Sequence, residues 1–308
     1  MQVELSVFYA RLGSIALIMV LGFLLGKFKL ISEHTNKQIT NLLLTVFMPA
    51  SLFMAFPSEY DQASANLFFS GLLAGAIVML LLIILAKIIF NKKWMKKELS
   101  HESQFAMIFN NATFLGYPIV ANTFGPSGIL AYCGFIISFN IALFSYGIWL
   151  FEQKVSVKLL FNIIFNPNII AVVLGMVLFL IGFKLPNFFT DAVGYVGGAT
   201  TPLSIICIGF MLSQAKLIKV LVKWKLMLTA IIQLVLGPLV TWGILTLLQF
   251  PIEVIQVCVL IQALPTATSL GLFAVKYGGN EAESSELVTI STLFSVITMP
   301  LMVLLLLA

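Results

Sequence analysis

The chain has 308 residues, of which 60% are hydrophobic and only 9% charged; its mean hydropathy is +1.09 and its formal net charge +5. So little polar material cannot cover a water-soluble fold of this length, which excludes a soluble globular protein. The alternating ten-residue segments of a membrane barrel are absent as well, leaving an all-α polytopic membrane protein.

Ten apolar segments follow in chain order, near residues 5–26, 38–56, 66–90, 103–123, 128–151, 167–183, 187–213, 224–249, 252–275 and 285–307. Each approaches the ~20 residues that cross a hydrocarbon core. The first is a span and not a cleaved signal, because Gly26, Lys27, Phe28 and Lys29 follow it with no small-residue cleavage site. The second carries Pro49 and Ser51 in M-P-A-S-L-F. The fourth is interrupted from Asn110 to Pro118 by N-N-A-T-F-L-G-Y-P, and the fifth contains Asn140. The seventh carries Pro202 and Ser204 in T-P-L-S-I-I. The ninth contains Gln262 and a second interruption, Pro265 to Gly271, reading P-T-A-T-S-L-G. Pro238 and Pro300 have no counterpart in the other half and read as kinks.

Five spans (residues 1–151) precede a short cytoplasmic linker (152–165), and five follow it (166–308). An odd number per half makes any internal repeat inverted. Pro49 to Pro118 is 69 residues and Pro202 to Pro265 is 63, so proline, serine and broken-helix positions recur in the same order. Basic residues set the orientation. Fifteen of the 17 fall on one side, at Lys27, Lys29 and Lys37; Lys87, Lys92, Lys93, Lys96 and Lys97; Lys154 and Lys158; Lys216, Lys219, Lys223 and Lys225; and Lys276. Only Arg11 and Lys184 fall on the other. The rich side is cytoplasmic by the positive-inside rule, so both termini face out of the cell membrane. These lysines sit in short juxtamembrane turns, which argues against nucleic acid as a partner.

Broken helices at membrane depth are tolerated only where they are buried in protein or line a cavity, and a matched pair of them points to a transporter's binding site. Pro118 and Pro265 are each expected to start a half-helix, with Gly116 freeing the backbone before the first. Two half-helix N-termini meeting at a crossing suit an anion. Asn110, Asn111, Thr113, Thr266, Thr268 and Ser269 add neutral donors and acceptors. No lysine, arginine or carboxylate stands near the middle of a span, which favours a small organic carboxylate over a cation. For Pro49, Ser51, Asn140, Pro202, Ser204 and Gln262, helix packing competes with a supporting role at the site. Cys133, Cys207 and Cys258 read as small buried hydrophobes, and His34 and His101 lie far apart. No metal and no cofactor is expected.

At these residues the chain resembles the auxin efflux carrier family, which includes plant auxin exporters and prokaryotic permeases for malate-type acids. The matches are Asn111, Gly116 and Pro118 in N-x-x-x-x-G-x-P; Leu264 and Pro265, followed by Phe273, Ala274 and Tyr277 in F-A-x-x-Y; and Ser295 with Pro300. The resemblance implies two inverted five-helix repeats with broken helices four and nine crossing, as in the bile acid/sodium symporter. It also implies that Asn111 and the backbone beside Pro118 and Pro265 bind the substrate carboxylate. Spans one, two, six and seven would be the scaffold and the rest the moving part. The short linker, with Thr266 and Leu270 where plant carriers tend to have glutamine and a second proline, indicates a compact, prokaryotic-like member. The expected function is alternating-access transport of an auxin-like or malate-type anion, with the lipid bilayer as surroundings and a homodimer left open. A sodium-coupled organic anion symporter is the alternative. A membrane-embedded enzyme or receptor ranks lower, because the spans lack a nucleophile–base pair and the loops leave no room for an output domain.

Overall fold

A computed structural model describes residues 5–57, 59–91, 97–153, 164–214 and 223–307. Lys92, Lys93, Lys96, Lys154, Lys158, Lys216 and Lys219, with most of the expected 152–165 linker, lie outside the described residues. The structure is all-helical: among the described residues the one departure toward sheet is an isolated bridge, treated below. The helices are α1 (Leu5–Lys27), α2 (Glu33–Leu42), α3 (Met48–Phe53), α4 (Gln62–Ile89), α5 (Lys97–Ile108), α6 (Tyr117–Ala142) and α7 (Ile148–Glu152). The second half of the chain contributes α8 (Pro167–Leu180), α9 (Asn187–Gly198), α10 (Thr200–Gln214), α11 (Trp224–Leu247), α12 (Ile252–Gln262), α13 (Ser269–Tyr277) and α14 (Glu281–Leu307).

Among the described residues, five helical runs are long and apolar enough to cross a membrane: Gln62–Ile89, Ala112–Glu152, Asn187–Gln214, Trp224–Leu247 and Glu281–Leu306. Shorter apolar helices are Gly13–Lys27, Pro167–Leu180 and Ile252–Gln262. The 41-residue run Ala112–Glu152 is not one rod. At Gly125 the backbone takes φ 63° and ψ −150°, followed by Pro126. That region of backbone space is open essentially to glycine alone. Beyond it the chain doubles back, since the Tyr132 hydroxyl donates to the Ala112 carbonyl at 3.0 Å. In a straight helix those two residues would lie about 30 Å apart. The Asn122–Ser127 stretch between the expected fourth and fifth spans is therefore a tight turn.

Among the described residues three π-helical turns interrupt the α-helices, at Leu43–Phe47, Ala112–Gly116 and Leu143–Gly147. The first two each end two residues before a proline, Pro49 and Pro118. A proline ring lacks an N–H and clashes with the carbonyl four residues back. A widened turn ahead of it removes that clash without breaking the helix.

Close helix contacts rest on small residues. A Cβ at Gly22 would stand 2.3 Å from the Ile206 carbonyl oxygen, and one at Gly209 would stand 2.1 Å from that of Met19. α1 and α10 touch backbone to backbone, as small residues allow in membranes. The other dense region is aromatic: Phe105 packs on Phe109 (4.8 Å between ring centroids) and on Phe273 (5.3 Å), and Phe109 on Phe139 (5.8 Å). This cluster fixes α5 against α6 and α13, and so sets where α5 can stop.

Candidate functional site

α5 ends at Ile108 and α12 at Gln262, and the unwound backbone after each meets the other. The Asn111 N–H donates to the Pro265 carbonyl at 2.7 Å, and the Ala267 N–H to the Phe109 carbonyl at 2.9 Å. Asn110 and Thr266 face one another in an antiparallel bridge. Each break satisfies backbone groups that the other has freed, which is the condition for unwound chain inside a membrane protein.

This pairing corrects the expected register. Across the bridge Asn111 stands opposite Pro265 and Phe109 opposite Ala267, so Pro118 takes no part in the pairing. Nor does Pro118 start the half-helix. The helical path resumes at Ala112, where the Asn111 Oδ1 caps it by accepting from the Phe114 N–H at 3.2 Å. Pro118 lies inside the helix, accommodated by the preceding π turn. Pro265 lies within the break, and α13 begins four residues later at Ser269.

Three of the expected residues hold the crossing together. The Asn110 Nδ2 donates to the carbonyls of Ile261 (2.9 Å) and Gln262 (2.7 Å) and to the Gln262 Oε1 (3.0 Å), closing the C-terminus of α12. The buried Asn110 Oδ1 and Gln262 Nε2 have no hydrogen-bond partner among the described residues. The Thr266 hydroxyl donates to the Gln233 Oε1 at 2.8 Å, and the Gln233 Nε2 donates to the Leu264 carbonyl at 3.1 Å. The Thr266 N–H is received by the Ser291 hydroxyl at 3.1 Å. Thr266, Gln233 and Ser291 are all fully buried. The Thr266 side chain is thus committed to α11.

Beside the crossing is a cavity of about 230 Å³. Asn111, Thr268, Gln214, Ser285, Thr289 and Thr292 supply its polar atoms, and among the described residues no charged side chain lines it. With its Oδ1 used by the cap, Asn111 is left with its Nδ2, which makes no hydrogen bond among the described residues. Thr289 and Thr292 donate backward to the Ser285 and Val288 carbonyls, so their oxygens accept. The donors left for a guest are the Asn111 amide, the Thr268 and Ser285 hydroxyls and the first-turn N–H groups of α13 other than that of Leu270, which reaches the Ala267 carbonyl at 3.0 Å. At the other half-helix, Ala112 N–H already reaches the Asn110 carbonyl and Phe114 N–H the Asn111 side chain. That terminus offers its dipole more than free donors.

The remaining expected residues are placed as follows. Thr113 and Ser269 are half-buried at the two helix starts. Gly116 is buried against Leu264 and Tyr132. Asn140 donates to its own helix at Ile136, away from the crossing. Ser51 donates to the Gly197 carbonyl at 2.6 Å and bonds the Thr200 hydroxyl at 2.8 Å. The segment of Pro49 thereby meets the start of α10, where Pro202 stands and Ser204 bonds back to Thr201. This is a second meeting of the two halves, and none of these four residues lines the cavity.

Two features escaped the sequence reading. Ser285, Thr289 and Thr292 form one helix face at spacings of four and three; that hydroxyl stripe was legible in the last span. The second is a buried carboxylate at the edge of the expected fourth span. α5 begins before residue 103 and buries Glu102 completely, with its Oε1 accepting from the Asn280 N–H at 2.8 Å.

Residues 7–303 match the model of a family described as membrane transport protein. The chain belongs to this family, of the auxin efflux carrier type. It is 25% identical to an uncharacterised transporter of Methanocaldococcus jannaschii, over 93% of this chain and 95% of that one. It is 23% identical to the uncharacterised transporter YfdV of Escherichia coli, over 96% and 97%. A shorter match, 33% identical over 128 residues, covers 41% of this chain and 39% of the uncharacterised sodium-dependent transporter YocS of Bacillus subtilis. For a member of a membrane transporter family, a polar cavity beside two broken helices is the place to look for cargo.

Proposed function

We propose that this protein is a secondary transporter that moves a small organic carboxylate across the cell membrane by alternating access. The observation that carries this reading is the cavity beside the paired breaks, with a free amide donor at Asn111, hydroxyls at Thr268 and Ser285, and the start of α13. With no lysine or arginine among the described residues of its lining, neutral donors and helix dipoles meet the charge. Such recognition is weak enough to allow release.

Two inverted five-helix repeats are the architecture we assign to it, with both termini outside. The packing supports this reading. α1 on α10 has its counterpart in α8 on α3, α4 on α6 in α11 on α14, and α5 on α11 in α12 on α4. A two-fold axis in the membrane plane generates such pairs. α1 to α3 and α8 to α10 would then be the scaffold, with the crossing carried by the remaining helices.

A sodium-coupled carrier is the second reading, favoured by the partial likeness to YocS. The test is thermal stability of the purified protein with organic acids, in sodium and in a sodium-free buffer. A bound carboxylate at a hundred times its dissociation constant stabilises by about 2.7 kcal/mol. Stabilisation that needs sodium would favour the second reading. No stabilisation by any carboxylate would contradict both.

A further inference from the structure

A second cavity, of about 180 Å³, lies on the other side of Leu115. It is almost wholly apolar: Ile15 and Met19 of α1, Ile119 and Leu264 near the breaks, and Met299 of α14 are among its walls. α14 lines both spaces with one face. Ser285, Thr289 and Thr292 belong to the first cavity; Ser295, Val296 and Met299 to the second. From Ser285 to Met299 that face runs about 21 Å at 1.5 Å per residue, most of the way through a hydrocarbon core. Leu115 is the residue common to the two linings, and it is only 5% exposed.

We propose that Leu115 is the barrier of the transport path: its side chain separates a polar cavity from an apolar one along α14, and its bulk keeps the two from joining. An apolar constriction of this kind stops hydrated solutes, because water does not fill it. The local backbone suits such a role. Leu115 sits in the π turn, and the Asn111 carbonyl accepts from both Leu115 (3.2 Å) and Gly116 (3.0 Å). Exchanging one of these bonds returns the turn to α geometry and swings Leu115 by about 100° around the helix axis. Asn111, which offers its amide to the cavity, is thereby also the anchor of the barrier.

The inference rests on the transport reading for its purpose, but its test needs no recognised substrate. Proteoliposomes holding the full-length protein are placed in an iso-osmotic urea solution and their swelling is followed by light scattering. Wild type should be as tight as empty liposomes. Leu115→Ala should open a non-saturating urea leak, and Leu115→Met, which keeps the bulk, should stay tight. Leu234→Ala removes an equally buried leucine of α11 that lines neither cavity, and should also stay tight. If Leu115→Ala does not reconstitute, Leu115→Val is read by the same assay. A tight truncation variant, or a leak of equal size in Leu234→Ala, would overturn the proposal. Neither outcome touches the carboxylate assignment, which is tested separately by acid binding to the wild type.

Discussion

Asn110 and Asn111 are adjacent and identical in type, yet they do opposite work. One spends its amide nitrogen on the end of α12, the other keeps its nitrogen for the cavity and spends its oxygen on a helix cap. Sequence marks both as polar residues in an apolar run; which way each side chain turns depends on backbone it meets some 150 residues later. Asn111→Ala removes cap and donor together, so Asn111→Asp is the sharper variant. It keeps the cap oxygen and replaces the donor with a negative oxygen. It should fold with near wild-type melting temperature and lose carboxylate-induced stabilisation, a binding loss of about 1–3 kcal/mol or more. Retained stabilisation would remove Asn111 from the site. At the membrane edge, Asp61 caps α4 by accepting from the Ser64 N–H at 2.8 Å, and the Ser64 hydrogen bonds hold its carboxyl below the ordinary range. A lowered folded pKa contributes stability above the unfolded value, about 3.9, and loses it as pH falls through the folded one. Melting temperature should therefore drop less on acidification below pH ~4 in Asp61→Asn than in wild type.

At the level of elements, glycine and proline told where helices break but not how. The turn at Gly125–Pro126 falls where the expected spans four and five part. Gly125→Ala should destabilise by about 1–3 kcal/mol, read as a lower melting temperature in detergent, because alanine cannot hold that backbone without strain. The start of the half-helix at Ala112 was misread, since a proline is a good first-turn residue and nothing in the sequence announces a π turn that lets Pro118 sit deeper. Gln233 was passed over entirely, a lone polar residue in an apolar helix. It proves to tie α11 to the second break at Leu264 and Thr266. Gln233→Leu strands a buried carbonyl and a buried hydroxyl, each costing about 1–3 kcal/mol. It should lower the melting temperature more than Gly125→Ala does.

For the whole molecule, composition alone dictates a helical membrane protein, and the two polar interruptions say which segments to compare. Their meeting, backbone to backbone, follows from no local rule. Proline spacing suggested one register, and the Asn110–Thr266 bridge imposes another. The α14 hydroxyl stripe was readable from its four-and-three spacing, but its value became plain only once Asn111 and Thr268 stood across the same cavity. The central claim is that this cavity recognises an anion through neutral donors and helix ends. It is tested most directly by equilibrium competition, in proteoliposomes, between an organic acid that stabilises the protein and its isosteric amide for one labelled carboxylate. A single helix terminus contributes on the order of 0.3–2 kcal/mol, so two should favour the acid by roughly tenfold or more. Equal competition by the amide would contradict the account and leave both broken helices as packing features alone.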